Sequence, residues 1–373
     1  MNSPVPRVAV PGSSGRRRVL HFVTGGFSGA TQVAVDLCRA SMRGGAIDPV
    51  LVLRRKRHTD LQRVQALRDE GLDVRLVPGW AHLATIWALL RLCRRLAPDV
   101  LVAHGFPEHL LGRWAGLWAG VSALVQVEHN SRERYTPWRL WQARRLAAHT
   151  ARLVGVSEGV RQRLLALGMP AASTLAIPNG IELARFAAAA AQPFEAREPG
   201  VIMSARFARQ KDQPTLIRAM ALLRDRGLTP PLYLAGSGAP GWLRRSEALV
   251  RELGLTNVQF LGHVRDLPER LMAARIFVLS THWEGMPLAL VEGMAAGCAC
   301  VTTAVPGTQG LLDGGCGVVV PEGDAAAMAD ALERLLREPA HAAALGRAAR
   351  ERAVAEFGVQ HMTARYDALL LSL

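Results

Sequence analysis

The sequence predicts an α/β protein built from two Rossmann-like domains, each a parallel sheet with helices on both faces. Three observations predict it. The chain has 373 residues, more than one ordinary domain at ~150 residues each. Short, near-continuous apolar runs alternate with helical patterns along almost its whole length, which is how strands buried on both faces read. The alternation breaks once near the middle, in a stretch rich in Ala, Pro and Gly that reads as an interdomain linker.

Residues 1–17, rich in Pro, Gly, Ser and Arg, read as a flexible tail. A first domain over 18–182 follows, with strands expected at 19–23, 50–53, 74–77, 100–103, 123–127, 153–156 and 174–177. Helices fall between them, including 30–43, 83–96 and 158–167. The linker is placed at 183–200. A second domain over 201–357 has strands at 201–205, 232–235, 258–261, 276–280, 300–303 and 317–320, with helices at 214–226, 287–296, 325–337 and 340–357. A last helix lies within 358–373. In open sheets of this kind ligands bind beyond the carboxyl ends of the strands, so two facing domains make a cleft.

Composition narrows the function. Half the residues are apolar and 20% are charged, which excludes a disordered chain. No apolar run approaches the ~18 residues of a membrane span. The N-terminus lacks an apolar segment of secretory length, and five scattered cysteines read as reduced thiols, so a cytoplasmic protein is expected. Only two of the 45 basic residues are lysines, Lys56 and Lys211, which makes each retained lysine a functional candidate. The net charge of +14 lies entirely in the first half: residues 1–186 carry 26 basic and 12 acidic side chains, and residues 187–373 carry 19 of each. Such asymmetry points to an anionic partner for the first half.

The strongest motif is Ser280-Thr-His-Trp-Glu284-Gly-Met-Pro-Leu-Ala-Leu-Val-Glu292. A strand ends at Ser280, a loop carries Glu284, and Pro287 marks a helix start whose free N–H groups suit a diphosphate. Glu292 lies about 7.5 Å further along that helix at ~1.5 Å per residue, a distance that suits a ribose attached to the diphosphate. Glu284, before the helix, suits a sugar. The plainer alternative is one surface acid and one helix-face acid. In Ser204-Ala-Arg206-Phe-Ala-Arg-Gln-Lys211, two cations follow a strand and would neutralise a departing diphosphate, unless the loop is simply solvated. Two glycine-rich turns, Gly25-Gly26-Phe-Ser-Gly29 and Gly236-Ser-Gly238-Ala-Pro-Gly241, allow close backbone approach to a phosphate or sugar, although a tight turn reads equally well. His104 and His129 follow strands of the first domain and are candidates to face a sugar or acceptor. No metal is expected: there is no H-E-x-x-H, no paired zinc spacing and no D-x-D. Tryptophan alternates with arginine in Leu111-Gly-Arg113-Trp114-Ala-Gly-Leu-Trp118 and in Pro137-Trp138-Arg139-Leu-Trp141-Gln-Ala-Arg144-Arg145. These read as amphipathic helices suited either to an anionic bilayer or to ordinary packing. No nucleic-acid-binding module is recognised, so that reading ranks lower.

Taken together, these residues resemble the retaining glycosyltransferases of family 4, which have the GT-B fold. Arg206 and Lys211 match that family's Arg…Lys pair, and Glu284 and Glu292 match its E-x7-E motif. Val154-Gly-Val-Ser157, Ile177-Pro-Asn-Gly180 and Phe260-Leu-Gly-His-Val264 match further landmarks. The chain departs from the family at Glu292-Gly293, at Gly297-Cys-Ala-Cys300 and at Val305-Pro-Gly-Thr-Gln309. The resemblance implies a nucleotide-sugar donor, UDP- or GDP-linked, used as substrate with no cofactor and no metal. It makes Glu284, Arg206, Lys211 and His104 the catalytic set. Donor contacts fall to Glu292, Gly25, Gly26, Gly236, Gly238, Val264, Met286, Pro287 and Leu288, and acceptor contacts to His129 and Arg132. It also implies that the final helix crosses back to the first domain. The expected activity is sugar transfer to a glycan or lipid-linked glycan in surface polysaccharide assembly, with possible peripheral contact between the basic half and the inner membrane face. Two rival expectations are a sugar-nucleotide epimerase or phosphorylase of the same fold, and a non-enzymatic protein that binds polyanions or membranes.

Overall fold

The computed structural model describes residues 15–132 and 135–373. It divides into two compact units. One comprises residues up to Val127, Tyr135–Val154 and Thr363–Leu373; the other comprises Glu128–Arg134 and Gly155–Met362.

The first sheet contains β1 (Arg17–Thr24), β2 (Ile47–Arg54), β3 (Asp73–Val77), β4 (Val100–His104), β5 (Ala123–Glu128), β6 (Arg152–Gly155) and β7 (Thr174–Ala176). Their spatial order is β3-β2-β1-β4-β5-β6-β7. The connecting helices are α1 (Gly29–Gly44), α2 (Leu61–Asp69), α3 (His82–Leu96), α4 (Glu108–Ala119), α5 (Pro137–Ala147) and α6 (Glu158–Ala166). Strand alternation sorts the core. Leu20, Phe22, Val50 and Val52 pack with α3 and α4. Val23, Leu51 and Leu53 point the other way and pack with α1 and α2. Every apolar run chosen from the first half is a strand in this sheet.

The second sheet contains β8 (Glu198–Ser204), β9 (Leu232–Ala235), β10 (Val258–Gly262), β11 (Ala274–Leu279), β12 (Ala299–Thr303) and β13 (Val318–Val320). Its order is β10-β9-β8-β11-β12-β13, which puts β8 and β11 side by side at the centre. Its helices are α7 (Gln213–Asp225), α8 (Pro240–Glu252), α9 (Leu267–Ala273), α10 (Leu288–Ala295), α11 (Ala325–Arg337) and α12 (Pro339–Glu356); α13 (Val359–Leu371) closes the chain. The side chains of Asp60, Thr136, Ser157, Asp212 and Asp324 accept first-turn N–H groups of α2, α5, α6, α7 and α11, which is why those helices start where they do.

Two sequence expectations need correction here. The stretch 183–200 is not an open linker: Leu183–Ala190 and Phe194–Ala196 are 3-10 helices, and β8 already begins at Glu198. Phe186 and Arg197 are buried there, and Arg197 Nη1 donates to the carbonyls of Ala296 and Gly297 at 2.8 and 3.0 Å. In the Trp/Arg stretch 111–118, Arg113 does not face solvent as the bilayer reading of that helix expects. Its guanidinium is fully buried, donating to the His109 carbonyl at 3.1 Å and to Thr150 Oγ1 at 3.2 Å.

Candidate functional site

The second unit gathers its chemistry at the carboxyl ends of β8 and β11. Because these strands are neighbours, the connections that follow them run together. Lys211 and Thr281 form an antiparallel bridge, His282 N–H donates to the Gln210 carbonyl at 2.9 Å, and Asp212 N–H donates to the Ser280 carbonyl at 3.0 Å. This pairing carries Lys211 onto Glu284. Lys211 Nζ and Glu284 Oε1 form an ion pair in which both side chains are largely withdrawn from water. Thr281 Oγ1 donates to Glu284 Oε1 at 2.9 Å and Gln210 Nε2 donates to Oε2 at 3.2 Å, so both carboxylate oxygens are engaged. A buried carboxylate engaged at both oxygens is fixed in direction.

The backbone of Glu284 is clamped as well. A Cβ at Gly285 would lie 1.9 Å from the His129 carbonyl oxygen, and one at Gly307 would lie 2.4 Å from the Glu284 carbonyl oxygen. Ser157 Oγ donates to the Gly285 carbonyl at 2.7 Å while capping α6 through Val160 N–H at 3.2 Å. Met286 and Pro287 are buried; Asn179 N–H meets Met286 Sδ at 3.0 Å. Pro287 caps α10, so the N–H groups of half-buried Leu288 and of Ala289 have no acceptor within the helix. Glu292 sits on the same helix, one turn on. Burial pushes its carboxyl above the usual range, and Arg185 Nη1, 3.7 Å away, opposes the rise.

The other candidates fall in varied surroundings. Arg206 is exposed on the connection after β8, and Val264 is half-buried just beyond β10. Gly236 and Gly238 admit the backbone of the connection after β8: a Cβ would lie 2.1 Å from the Ala205 oxygen and 2.2 Å from the Phe207 oxygen, respectively. His129 is half-buried, and loss of water around its ring pushes its pKa down to about 3. Arg132 is exposed, with its guanidinium 4.7 Å above the Trp283 ring.

In the first unit, Gly25 lets the chain turn against β2, since a Cβ would lie 2.7 Å from the Arg54 oxygen, while Gly26 is open on that side. His104 is fully buried, not exposed at a strand end: its Nε2 lies 3.1 Å from His21 Nδ1 on the adjacent β1. Burial pushes His21 down to about 4, so this ring is neutral at pH 7. Lys56, the other retained lysine, pairs with buried Glu108 at 3.1 Å, beside Arg54 at 3.2 Å. Sequence reading missed the residues that hold Glu284, namely Thr281, Gln210, Gly285, Gly307 and Ser157. Each stands inside a quoted stretch, but nothing in the spacing shows that these stretches meet at Glu284. Among the described residues no cluster of His, Cys, Asp and Glu suited to a metal is found.

Residues 27–185 match Glycosyltransferase Family 4, and residues 185–352 match Glycosyl transferases group 1. The chain belongs to glycosyltransferase family 4. Among its relatives is the GDP-mannose-dependent alpha-(1-6)-phosphatidylinositol monomannoside mannosyltransferase of Mycolicibacterium smegmatis, 30% identical over 71% of this chain and 74% of that protein. Another is the lipopolysaccharide core biosynthesis glycosyltransferase LpsE of Rhizobium meliloti, 27% identical over 95% of this chain and 99% of the relative. Other matches are partial: the chain spans 38% of the length of the putative glycosyltransferase EpsD of Bacillus subtilis, at 33% identity over 39% of this chain. The structure of Anabaena HepE in complex with UDP superposes with a TM-score of 0.82 at 19% identity, covering 96% of this chain and 100% of that one. The family 4 chain therefore has the GT-B fold.

Proposed function

We propose that this family 4 chain transfers a sugar from a UDP- or GDP-linked donor to a glycan or lipid-linked glycan, with retention of anomeric configuration and without a metal. The observation that carries the reading is the buried Lys211–Glu284 pair, fixed by Thr281 and Gln210 beside the start of α10. Preorganised charge of this kind acts where charge develops in a transition state. Arg206, Lys211 and the first-turn N–H groups of α10 stabilise the departing diphosphate. The bond from the donor's anomeric carbon to the phosphate oxygen breaks, and the acceptor oxygen bonds to that carbon on the same face. The acceptor proton passes to the departing phosphate oxygen, so no protein nucleophile is needed. Glu284 orients donor hydroxyls, and Glu292 accepts from the ribose. The names of the relatives support the donor class, one citing GDP-mannose, and one structural neighbour holds UDP.

Turnover measured against a panel of nucleotide-sugars tests the assignment. Lys211→Ala and Glu284→Ala each lose ~100-fold or more in kcat with the fold intact, the scale of one missing transition-state contact. Wild-type turnover in either variant ends this reading. Chelation by EDTA leaves the rate unchanged, and the product's anomeric configuration matches the donor's.

The acceptor belongs at a membrane surface in this reading. Trp80, Leu83 and Trp87, on and just before α3, are 84, 78 and 60% exposed, and Trp118, Trp138 and Trp141 on α4 and α5 are exposed too. Arg91 lies 4.5 Å over the Trp87 ring, with Arg94 and Arg95 on the same helix. Exposed indole beside arginine suits the headgroup region of an anionic bilayer, from which the chain would act peripherally at the cytoplasmic side. No described helix is long and apolar enough to cross a membrane. Flotation with phosphatidylglycerol vesicles at low salt decides the point: wild type floats, Trp80→Ser/Trp87→Ser does not, and a wild type that stays at the bottom refutes it.

A further inference from the structure

Beside Glu284 the second unit holds a cavity of about 330 Å³. Its walls include two tryptophans, each carrying a guanidinium: Arg132 over Trp283 at 4.7 Å, and Arg245 over Trp242 at 5.1 Å. Arg209 and Lys211 line it as well, giving four cations. Two carboxylates also line it, each engaged through one oxygen. Asp212 is buried as the cap of α7, and Glu322 Oε1 is 2.8 Å from His282 Nδ1. Lys211 is held by Glu284. Arg132, Arg209 and Arg245 have no ion-pair partner among the described residues; set against Asp212 and Glu322, they leave the cavity with an excess of positive charge next to aromatic faces.

We propose that this cavity is a binding site for a saccharide bearing an anionic group, a uronate carboxylate or a phosphate ester. Apolar C–H faces of a sugar ring lie on indole surfaces, and guanidiniums held over those rings offer paired N–H donors to a planar carboxylate or a phosphate. Fixing Arg132 and Arg245 on indoles lowers the ordering cost of the contact. Trp283 directly precedes Glu284, and Lys211 serves both features, so an occupant sits alongside the transfer centre. The inference rests on the transferase reading for the occupant's role as acidic acceptor or acidic donor sugar. The binding itself does not depend on that reading.

Isothermal titration of the full chain, with and without saturating UDP, tests it with three probes: glucose, glucose 6-phosphate and a hyaluronan tetrasaccharide. We expect at least one acidic probe to bind ~10-fold or more tightly than glucose, with UDP present or absent, the scale of one charge-assisted contact. Arg209→Ala and Arg245→Ala, both at exposed positions, each reduce that affinity ~10-fold, and so does added salt. Preference for the tetrasaccharide assigns a uronate glycan; preference for glucose 6-phosphate assigns a phosphate ester. The proposal is overturned if no acidic probe binds, if glucose binds equally well, if both variants bind as wild type, or if UDP displaces the acidic probe, which would make the cavity part of the nucleotide site. UDP and GDP binding in the same titrations reports on the transferase reading separately.

Discussion

Gly285→Ala is the sharpest test of how Glu284 is held. The added Cβ would lie 1.9 Å from the His129 carbonyl oxygen and 2.6 Å from its carbonyl carbon. A carbon tolerates an oxygen at about 3.3 Å, so one backbone must retreat by on the order of 1.4 Å. Room is missing behind Glu284 too, because a Cβ at Gly307 would already lie 2.4 Å from the Glu284 oxygen and 2.6 Å from the Gly285 oxygen. The displacement therefore passes into Glu284 and pulls its carboxylate off Lys211 and Thr281. A misplacement of about 1 Å at a reacting group costs on the order of 100-fold, equivalent to ~2.7 kcal/mol of activation free energy. Overpacking adds ~1–3 kcal/mol of destabilisation, which thermal unfolding measures separately. The assay is steady-state turnover of the folded variant, with Gly44→Ala as control, since nothing lies within 4 Å of that position. If Gly285→Ala keeps kcat within about threefold of wild type, the 129–130 backbone yields instead and the clamp does not position Glu284.

Ser157→Ala removes both the cap of α6 and the bond to the Gly285 carbonyl; it lowers stability by ~1–2 kcal/mol in urea unfolding and reduces kcat several-fold, whereas a pure capping role would leave kcat untouched. Asp324→Ala supplies the comparison, a cap of α11 whose loss costs ~1 kcal/mol with no change in kcat. His21 is buried with its pKa lowered to about 4 from 6.5, so its neutral form is the folded one; its stabilisation is complete above pH 6.5 and drains away as pH falls towards 4. That shift amounts to ~3 kcal/mol, and His21→Gln should flatten the wild-type fall in urea midpoint across this window; identical pH profiles for the two proteins would refute it.

The strand pattern was readable because these strands are covered on both faces. Val50-Leu51-Val52-Leu53 has no polar residue to blur the run, and each neighbour packs against a different helix layer. Two of the residues that stand at motif spacings, Lys211 and Glu284, meet in the structure, and Glu292 follows on α10. Burial was not readable. Arginine is mostly exposed and histidine intermediate, so sequence alone does not announce that His104 and Arg113 are fully buried. His104 meets His21, distant in sequence, and Arg113 is enclosed between His109 on its own helix and distant Thr150, an enclosure that local spacing does not reveal. The stretch after Leu183 misled for the same reason: an alanine-rich segment has little to bury by itself, yet Phe186 and the distant carbonyls of Ala296 and Gly297 dock it.

The glycines of Gly236-Ser-Gly238 show what the tight-turn reading of that stretch accomplishes. From sequence they suit close approach to a phosphate. In the structure their missing Cβ atoms admit backbone, the carbonyls of Ala205 and Phe207, and Phe207 N–H donates to the Ser237 carbonyl at 3.1 Å. The connection that carries Arg206 and Lys211 is therefore braced on both flanks, by the Phe207–Gly238 bridge on one and the Lys211–Thr281 bridge on the other. Ordinary loops of this length shed such constraint, because fixing each residue costs about 1–2 kcal/mol of backbone entropy. In the proposed transfer such constraint suits a cation that faces developing charge, since a donor that must reorganise at the moment of reaction gives back much of its stabilisation. A side chain at Gly238 would then weaken catalysis by loosening Lys211, without touching any substrate.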